Sequence, residues 1–306
     1  MDTKIEKEEL KVIIAYISVC IIWGSTYLAI RIGVQSFPPE LFAGIRFLIA
    51  GLIVLGFAKF KKMDFPNKLS DVGKISIVGL FLLLGGNGLV VFASQWVHSG
   101  AVSILVATVP LFIAIVDLIV NKKKDSDYLT WVGLIVGFAG VVFLVFSGAG
   151  AGSIDIKGGI ILLIGSLSWG IGSIYSKSFK PSGSIVTHVG IQMLSGGIGL
   201  CITGILLGEL SEVSFSKSAM WAMIYLIFIG SMIGYGSYIY VLQKWPASKA
   251  GTYAYVNPIV AVFLGAIILK EPLSFSVVVS TVVILFGVYL VQKPRKQKGE
   301  IKVVTE

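Results

Sequence analysis

Charge is what this sequence has least of. Lys, Arg, Asp and Glu make up 13% of its 306 residues, about half the ~25% of an ordinary soluble domain. That shortage excludes a soluble globular surface: the 25 basic and 16 acidic residues sit in short clusters between apolar runs, and 56% of the chain is apolar, with a mean hydropathy of +0.91. Histidine and cysteine are rarer still, at two each. Cys20 and Cys201 both fall inside apolar runs, so neither a disulfide framework nor a metal site has support. The histidines are isolated and the runs hold no paired carboxylates, which argues against an enzyme acting on lipid-linked substrates; no catalytic residue and no cofactor is expected. No Gly-x-x-x-x-Gly-Lys run is present, so this chain by itself drives no ATP-powered pump. In a soluble chain a formal charge of +9 would suggest nucleic acid. Here Lys59, Lys61, Lys62, Lys68 and Lys74, the Lys122 to Lys124 run, and Lys293, Arg295, Lys296, Lys298 and Lys302 all flank apolar segments. They read as membrane-flanking charges. The expected partners are therefore the lipid bilayer and a small-molecule substrate, not nucleic acid.

Apolar runs of near-spanning length occupy 12–31, 41–58, 75–94, 100–120, 129–147, 159–176, 185–207, 219–242, 248–269 and 274–291. A bilayer core takes ~20 helical residues to cross. Leu, Ile, Val and Gly fill whole runs with no period of two, so the fold class predicted is an all-α integral membrane protein with ten transmembrane helices. No length remains for a soluble sensory or interaction domain. The first run follows a mixed-charge head with Lys4, Glu6, Lys7, Glu8, Glu9 and Lys11 and lacks a small-residue cleavage site, so it reads as a helix rather than a signal peptide. Basic residues orient the spans. Nineteen lie on the side holding the N-terminus, alternate loops and the 292–306 tail, against Lys157, Lys217 and Lys270 on the other. Both termini are thus expected in the cytoplasm of a multi-pass cell-membrane protein, bacterial in origin.

The chain repeats itself. Trp23-Gly24, Arg31, Arg46 and Gly51 match Trp169-Gly170, Lys177, Gln192 and Gly197 at an offset of 146; Gly86, Gly88, Gln95 and Pro110 match Gly234, Gly236, Gln243 and Pro258 at 148. Each half, 12–147 and 159–291, then holds five spans, and because five is odd the second half enters the membrane from the opposite side. A 5+5 inverted-topology repeat is the expectation, with alternating access as its functional corollary.

The Trp-Gly pairs of spans one and six, Pro110 and Pro258, and the Leu264-Gly-Ala-Ile-Ile-Leu-Lys-Glu-Pro-Leu273 ending of span nine resemble the EamA-domain branch of the drug/metabolite transporter superfamily. The resemblance covers nearly the whole chain as two EamA domains. It implies a ten-span transporter, usually an exporter of small metabolites, amino acids or drugs. Where the second half has Lys270-Glu271-Pro272, the first has Asn121-Lys-Lys-Lys124, so any role of that acidic residue is confined to the second half.

Candidate site residues are the polar and aromatic groups left inside the spans. Pro110 and Pro258 free a backbone carbonyl and kink their helices, as hinges or cavity walls on one reading and as packing kinks on the other. Asn87 and Tyr235 occupy repeat-related positions, Tyr238 lies one turn beyond Tyr235, and Tyr253 and Asn257 share a helix face. They line a pore or bond helix to helix. Trp23 and Trp169 lie deep in their spans, away from the interfaces where Trp is commonest. Arg46, with Gln192 as its repeat partner, is a functional candidate because a charge lies inside a span; the alternative is snorkelling to the surface. Facing a cavity, it would meet a substrate carboxylate. Arg31 and Lys177, at span ends, read as interfacial anchors. Asp117 is the only carboxylate well inside a run and lies beside Lys122 to Lys124; His98 and His188 fall near span ends. With no proton relay at the midplane, facilitated or exchange transport is expected rather than proton antiport. Gly133 and Gly137 let helices approach closely, within the chain or in a homodimer.

The function expected is a secondary transporter, an exporter of amino acids or amphipathic drug-like solutes, as a monomer or homodimer. The rival readings are a membrane-embedded enzyme and a non-transporting membrane subunit.

Overall fold

A computed structural model describes residues 2–97, 99–121, 128–146, 156–214, 216–269 and 275–292. His98, Lys122 to Lys124, the Lys270-Glu271-Pro272 segment and the basic tail lie outside the described residues. Helices account for nearly all of the rest: α1 (Asp2–Gly33), α2 (Pro39–Phe60), α3 (Leu69–Ala93), α4 (Ser99–Val106), α5 (Val109–Asn121), α6 (Tyr128–Phe146), α7 (Ile156–Lys177), α8 (Ile185–Leu206), α9 (Lys217–Lys244), α10 (Ala247–Gly251), α11 (Tyr253–Leu269) and α12 (Phe275–Gln292). No strand occurs among the described residues. Among the described residues, six helical stretches are long and apolar enough to cross a membrane: Lys7–Gly33, Pro39–Phe60, Leu69–Ala93, Lys157–Lys177, Ile185–Leu206 and Lys217–Lys244. In hydrocarbon a helix satisfies its own backbone groups, which is why such runs fold this way.

The exterior departs from that of a soluble protein. Ile14, Ile17, Ile21 and Leu28 form an exposed apolar stripe on α1, whereas Arg46, Gln192, Ser173 and Asn257 are buried. The apolar stripe faces where lipid would lie and the polar groups face protein.

Glycine sets the closest helix contacts. A Cβ at Gly44 would meet Sγ of Cys201 at 2.5 Å, one at Gly51 would meet Leu194 at 3.0 Å, and one at Gly190 would meet Leu55 at 2.5 Å, so α2 and its repeat counterpart α8 cross antiparallel along a seam of small residues. The same holds for α6 and α12. Gly133, Gly137 and Gly140 face Leu290, Gly287 and Ile284, and a Cβ at Gly287 would fall 2.5 Å from the backbone nitrogen of Gly137. Gly133 and Gly137 thus pack within the chain.

The loops tie equivalent ends together. At one end the α2–α3 loop meets the α7–α8 loop, where the Ser184 N–H donates to the Asp64 carbonyl at 2.9 Å and the Ser182 hydroxyl donates to Asp71 at 2.7 Å. At the other, the turn after α1 meets the segment after α8: Ser36 bonds Ser216 at 2.6 Å, and Ser214 bonds the Ser36 carbonyl. Gly208, at φ +81, supplies the left-handed turn that ends α8.

Two features of the middle of the bundle recur in both halves. Helix α3 is π-helical over Leu80–Gly88 and α9 over Leu226–Tyr235. Each wide turn ends on, or one residue past, a predicted site residue, Asn87 or Tyr235; such turns are frequent at functional sites. The next span is broken in each half, at Ala107-Thr108 between α4 and α5 and at Thr252 between α10 and α11. A kink centred on each proline was expected. Instead Pro110 is the second residue of α5, where its missing N–H is an orphan anyway, and the break precedes it. Of the two, Pro258 lies inside a helix, α11, six residues past the break at Thr252.

Candidate functional site

The Trp-Gly pairs show how sequence places the centre of the molecule. Gly24 packs on Val260 of α11, where a Cβ would lie 2.6 Å from that side chain, while Gly170 lies against Phe112 and Ile113 of α5. These are equivalent contacts, since α1 lies against α9 and α11 just as α7 lies against α3 and α5. The preceding tryptophans are thereby turned inward. Trp23 and Trp169 meet edge to face, centroids 5.3 Å apart at 84°. Tyr253 stands 4.8 Å from Trp23, and Tyr235 6.4 Å from Trp169. Edge-to-face geometry suits ring quadrupoles, and it fixes a rigid wall with little side-chain freedom.

These rings border a central cavity of ≈ 60 Å³, several times the ~10–15 Å³ that one water needs. Of the predicted residues, Trp23, Arg46, Asn87, Trp169, Tyr235 and Tyr253 line it. Tyr27, Phe47, Ser166 and Gly230, not singled out from sequence, complete much of the wall. Both halves contribute.

Arg46 does not snorkel. It is 3% exposed, its Nη2 donates to Asn87 Oδ1 at 2.7 Å, its guanidinium carbon lies 4.1 Å from the centre of the Phe47 ring, and its Nε has no partner. The repeat-related pair makes the corresponding bond, Tyr235 donating its hydroxyl to Gln192 Oε1 at 2.8 Å. One interaction thus exists in a charged and a neutral form, and the cavity is electrostatically lopsided.

Three predicted residues stand behind the wall. Tyr238 receives the Trp169 indole N–H at 3.0 Å and bonds Ser173 at 2.6 Å, bracing the ring. Trp23 is fixed similarly, by donation to the Gly230 carbonyl at 3.1 Å. Asn257, fully buried, ties α11 to α1: in the amide orientation that satisfies both ends its nitrogen donates to the carbonyls of Tyr253 and Cys20. Gln192 faces a second cavity of ≈ 350 Å³ that also includes Lys177, Lys180, His188 and Gln243. The Tyr235–Gln192 bond therefore separates the two cavities. Pro110 touches neither cavity wall; its Cα lies 3.6 Å from the position of a Cβ on Gly251.

The span-end cations do more than anchor. Arg31 Nη1 donates to the carbonyls of Ser94 and Gln95, and Lys177 Nζ to those of Leu242 and Trp245 at 2.7 and 2.9 Å. These are repeat-related caps on the C-terminal ends of α3 and α9, where orphan carbonyls and the helix dipole favour a cation. Two buried carboxylates escaped the sequence reading. Helix α2 begins at Pro39 and buries Glu40, and Glu209 folds back from the turn after α8 to accept the N–H groups of Glu40 and Leu41 at 3.2 and 2.8 Å. Polar residues placed at the edges of apolar runs gave no signal of burial. Among the described residues no group of three His, Cys, Asp or Glu gathers to hold a metal.

The model of the EamA-like transporter family matches this chain twice, over residues 10–146 and 156–292. The chain belongs to that family. Among curated relatives, an Escherichia coli K12 protein named uncharacterized inner membrane transporter YedA is 40% identical over 90% of this chain and 89% of its own length. Uncharacterized transporter YoaV of Bacillus subtilis is 27% identical over 92% and 96%. A crystal structure 16% identical in sequence superposes with a TM-score of 0.74 over 92% of this chain and 97% of that one, which shows a shared fold. An EamA-like chain with several membrane-length helices is a membrane protein of transporter type, and its inward-facing polar residues fit that class.

Proposed function

We propose that this protein is a secondary transporter of the bacterial inner membrane that exports small organic solutes by alternating access. Ten spans in two EamA repeats, 12–147 and 159–291, form an inverted 5+5 pair with both termini in the cytoplasm, as a monomer or homodimer. The observation that carries the reading is the central cavity, built from both halves and lined by Trp23, Trp169, Arg46 and Asn87. Antiparallel crossing of the repeat-related helices α2 and α8, and of α6 and α12, supports the inversion. The recurrent π-helical turns and broken helices supply places where each half can bend.

In this scheme the second cavity is the cytoplasmic vestibule, and the Tyr235–Gln192 bond with the Trp169–Tyr238–Ser173 brace closes the route between it and the centre. Solute binds among the rings, the closed side opens as the other shuts, and exchange or facilitated movement follows without a proton relay. Counterflow in proteoliposomes, measured with and without an imposed pH gradient, tests this. Exchange of a labelled solute without a gradient is the expected result; strict dependence on the gradient, or no counterflow for any amino acid, amine or carboxylate, overturns it.

A further inference from the structure

Arg46 is a cation without a counter-ion. Its side chain is 3% exposed, its hydrogen-bonding partner is the neutral amide of Asn87, and its buried Nε finds no acceptor among the described residues. Among the described residues it makes no salt bridge. A charge in this position is retained only where something neutralises it, because desolvation is costly and a single amide bond does not offset it. Glu40, on the same helix, is no substitute. Its Oε2 lies 3.3 Å from the position of a Cβ on Gly88, and Glu40 does not line the cavity.

The remaining walls are informative by their chemistry. Among the described lining residues of the central cavity there is no Asp or Glu, so an ammonium group would find no ionic partner, only ring faces. The second cavity repeats the bias: its charged groups are Lys177 and Lys180, beside His188, with no carboxylate among its described lining residues. A route between the two cavities passes basic side chains at both ends and aromatic rings in the middle. That combination repels organic cations, leaves the amine of a zwitterion unpaired, and suits a negatively charged head on an apolar body.

We infer that the solute carried is a small organic anion, a monocarboxylate with an aromatic or apolar body, whose carboxylate supplies the missing counter-ion of the Arg46 guanidinium. The body lies against the wall formed by Trp23 and Trp169, whose rings are already held in place by their own hydrogen bonds. This rests on the transporter reading above and narrows its substrate class away from amino acids and amines. A charged donor and a carboxylate form the strongest ordinary hydrogen bonds, and the low-dielectric surroundings of the cavity strengthen them.

Three compounds sharing one ring and differing in charge separate the possibilities: phenylacetate, 2-phenylethylamine and phenylalanine. Binding to the purified full-length protein is measured by equilibrium dialysis, and counterflow of each is measured in proteoliposomes. Phenylacetate is expected to bind about tenfold or more tightly than the other two, and Arg46→Gln to lose that advantage while Arg46→Lys keeps part of it. The ranking in the unaltered protein stands even where a variant fails to fold. Equal or tighter binding of the amine or the amino acid, or no measurable binding of phenylacetate, overturns the inference. Phenylacetate bound through Arg46 but not exchanged supports the anion site and sinks the transporter reading; the amine exchanged and the carboxylate not does the reverse.

Discussion

Asn87→Ala removes the one group among the described residues that accepts from the Arg46 guanidinium, a bond of 2.7 Å between buried atoms. Hydrogen bonds to charged groups contribute ~1.5–3 kcal/mol, and leaving a buried charged donor unsatisfied costs at least as much. Since Arg46 Nε is already unpartnered, the variant leaves a buried cation with no hydrogen-bonding partner but whatever water enters the cavity. A loss of ~2 kcal/mol is expected in solute-free protein. Arg46→Met should behave differently, because replacing an uncompensated buried charge with an apolar side chain of similar volume is often neutral or stabilising. The double variant should be no less stable than Arg46→Met alone, which makes the coupling in the cycle ~1.5–3 kcal/mol. Unfolding in mixed micelles, followed by tryptophan fluorescence, gives all four stabilities. If Arg46→Met proved more damaging than Asn87→Ala, or the two losses simply added, the picture of an uncompensated cation held by one amide would be wrong.

Tyr235→Phe deletes the bond to Gln192 between the two cavities; losing ~0.5–1.5 kcal/mol from one closed state should shift the conformational equilibrium and raise counterflow rates ~2- to 10-fold at saturating solute, and an unchanged rate would remove this bond from the gate. Gly287→Val forces β-branched carbons against the Gly137 backbone, where even a single Cβ lies 2.5 Å from nitrogen, so thermal unfolding of the detergent-solubilised protein should fall by the equivalent of ~1–3 kcal/mol or more. Glu209→Ala removes acceptors for two N–H groups at the start of α2; the expected loss is ~0.5–2 kcal/mol, read by the same melting assay, and no loss would mean that water replaces the cap.

What was legible in the sequence divides along physical lines. Repeat-related residues carried across the halves because the offset is a property of the chain: Arg31 and Lys177 cap equivalent helix ends, and Arg46–Asn87 and Gln192–Tyr235 are equivalent bonds. Which of these residues face the cavity was not legible. A π-helical turn in α3 and α9 shifts the angular register of every residue after it, so spacing alone does not separate Tyr235 on the wall from Tyr238 behind it. Asn257 shares a face with Tyr253 on α11, yet the approach of α1 at Gly24 covers it. Glu40 and Glu209 read as loop residues because their burial arises from a contact 169 positions apart. Pro110 lies just after a break in its span, because helices break where the last unobstructed turn ends, ahead of the ring rather than at it.

The most direct test of alternating access is accessibility of the central cavity from each side of the membrane. Thr26 lines it and is close to cysteine in size, and Cys20 and Cys201 are the only cysteines to replace. In a chain carrying Thr26→Cys with both native cysteines changed to serine, a membrane-impermeant thiol reagent is applied to right-side-out and then to inside-out vesicles. Modification from both sides, blocked by the transported solute, is the predicted result. Modification from one side only, under every condition of solute loading, would contradict the account.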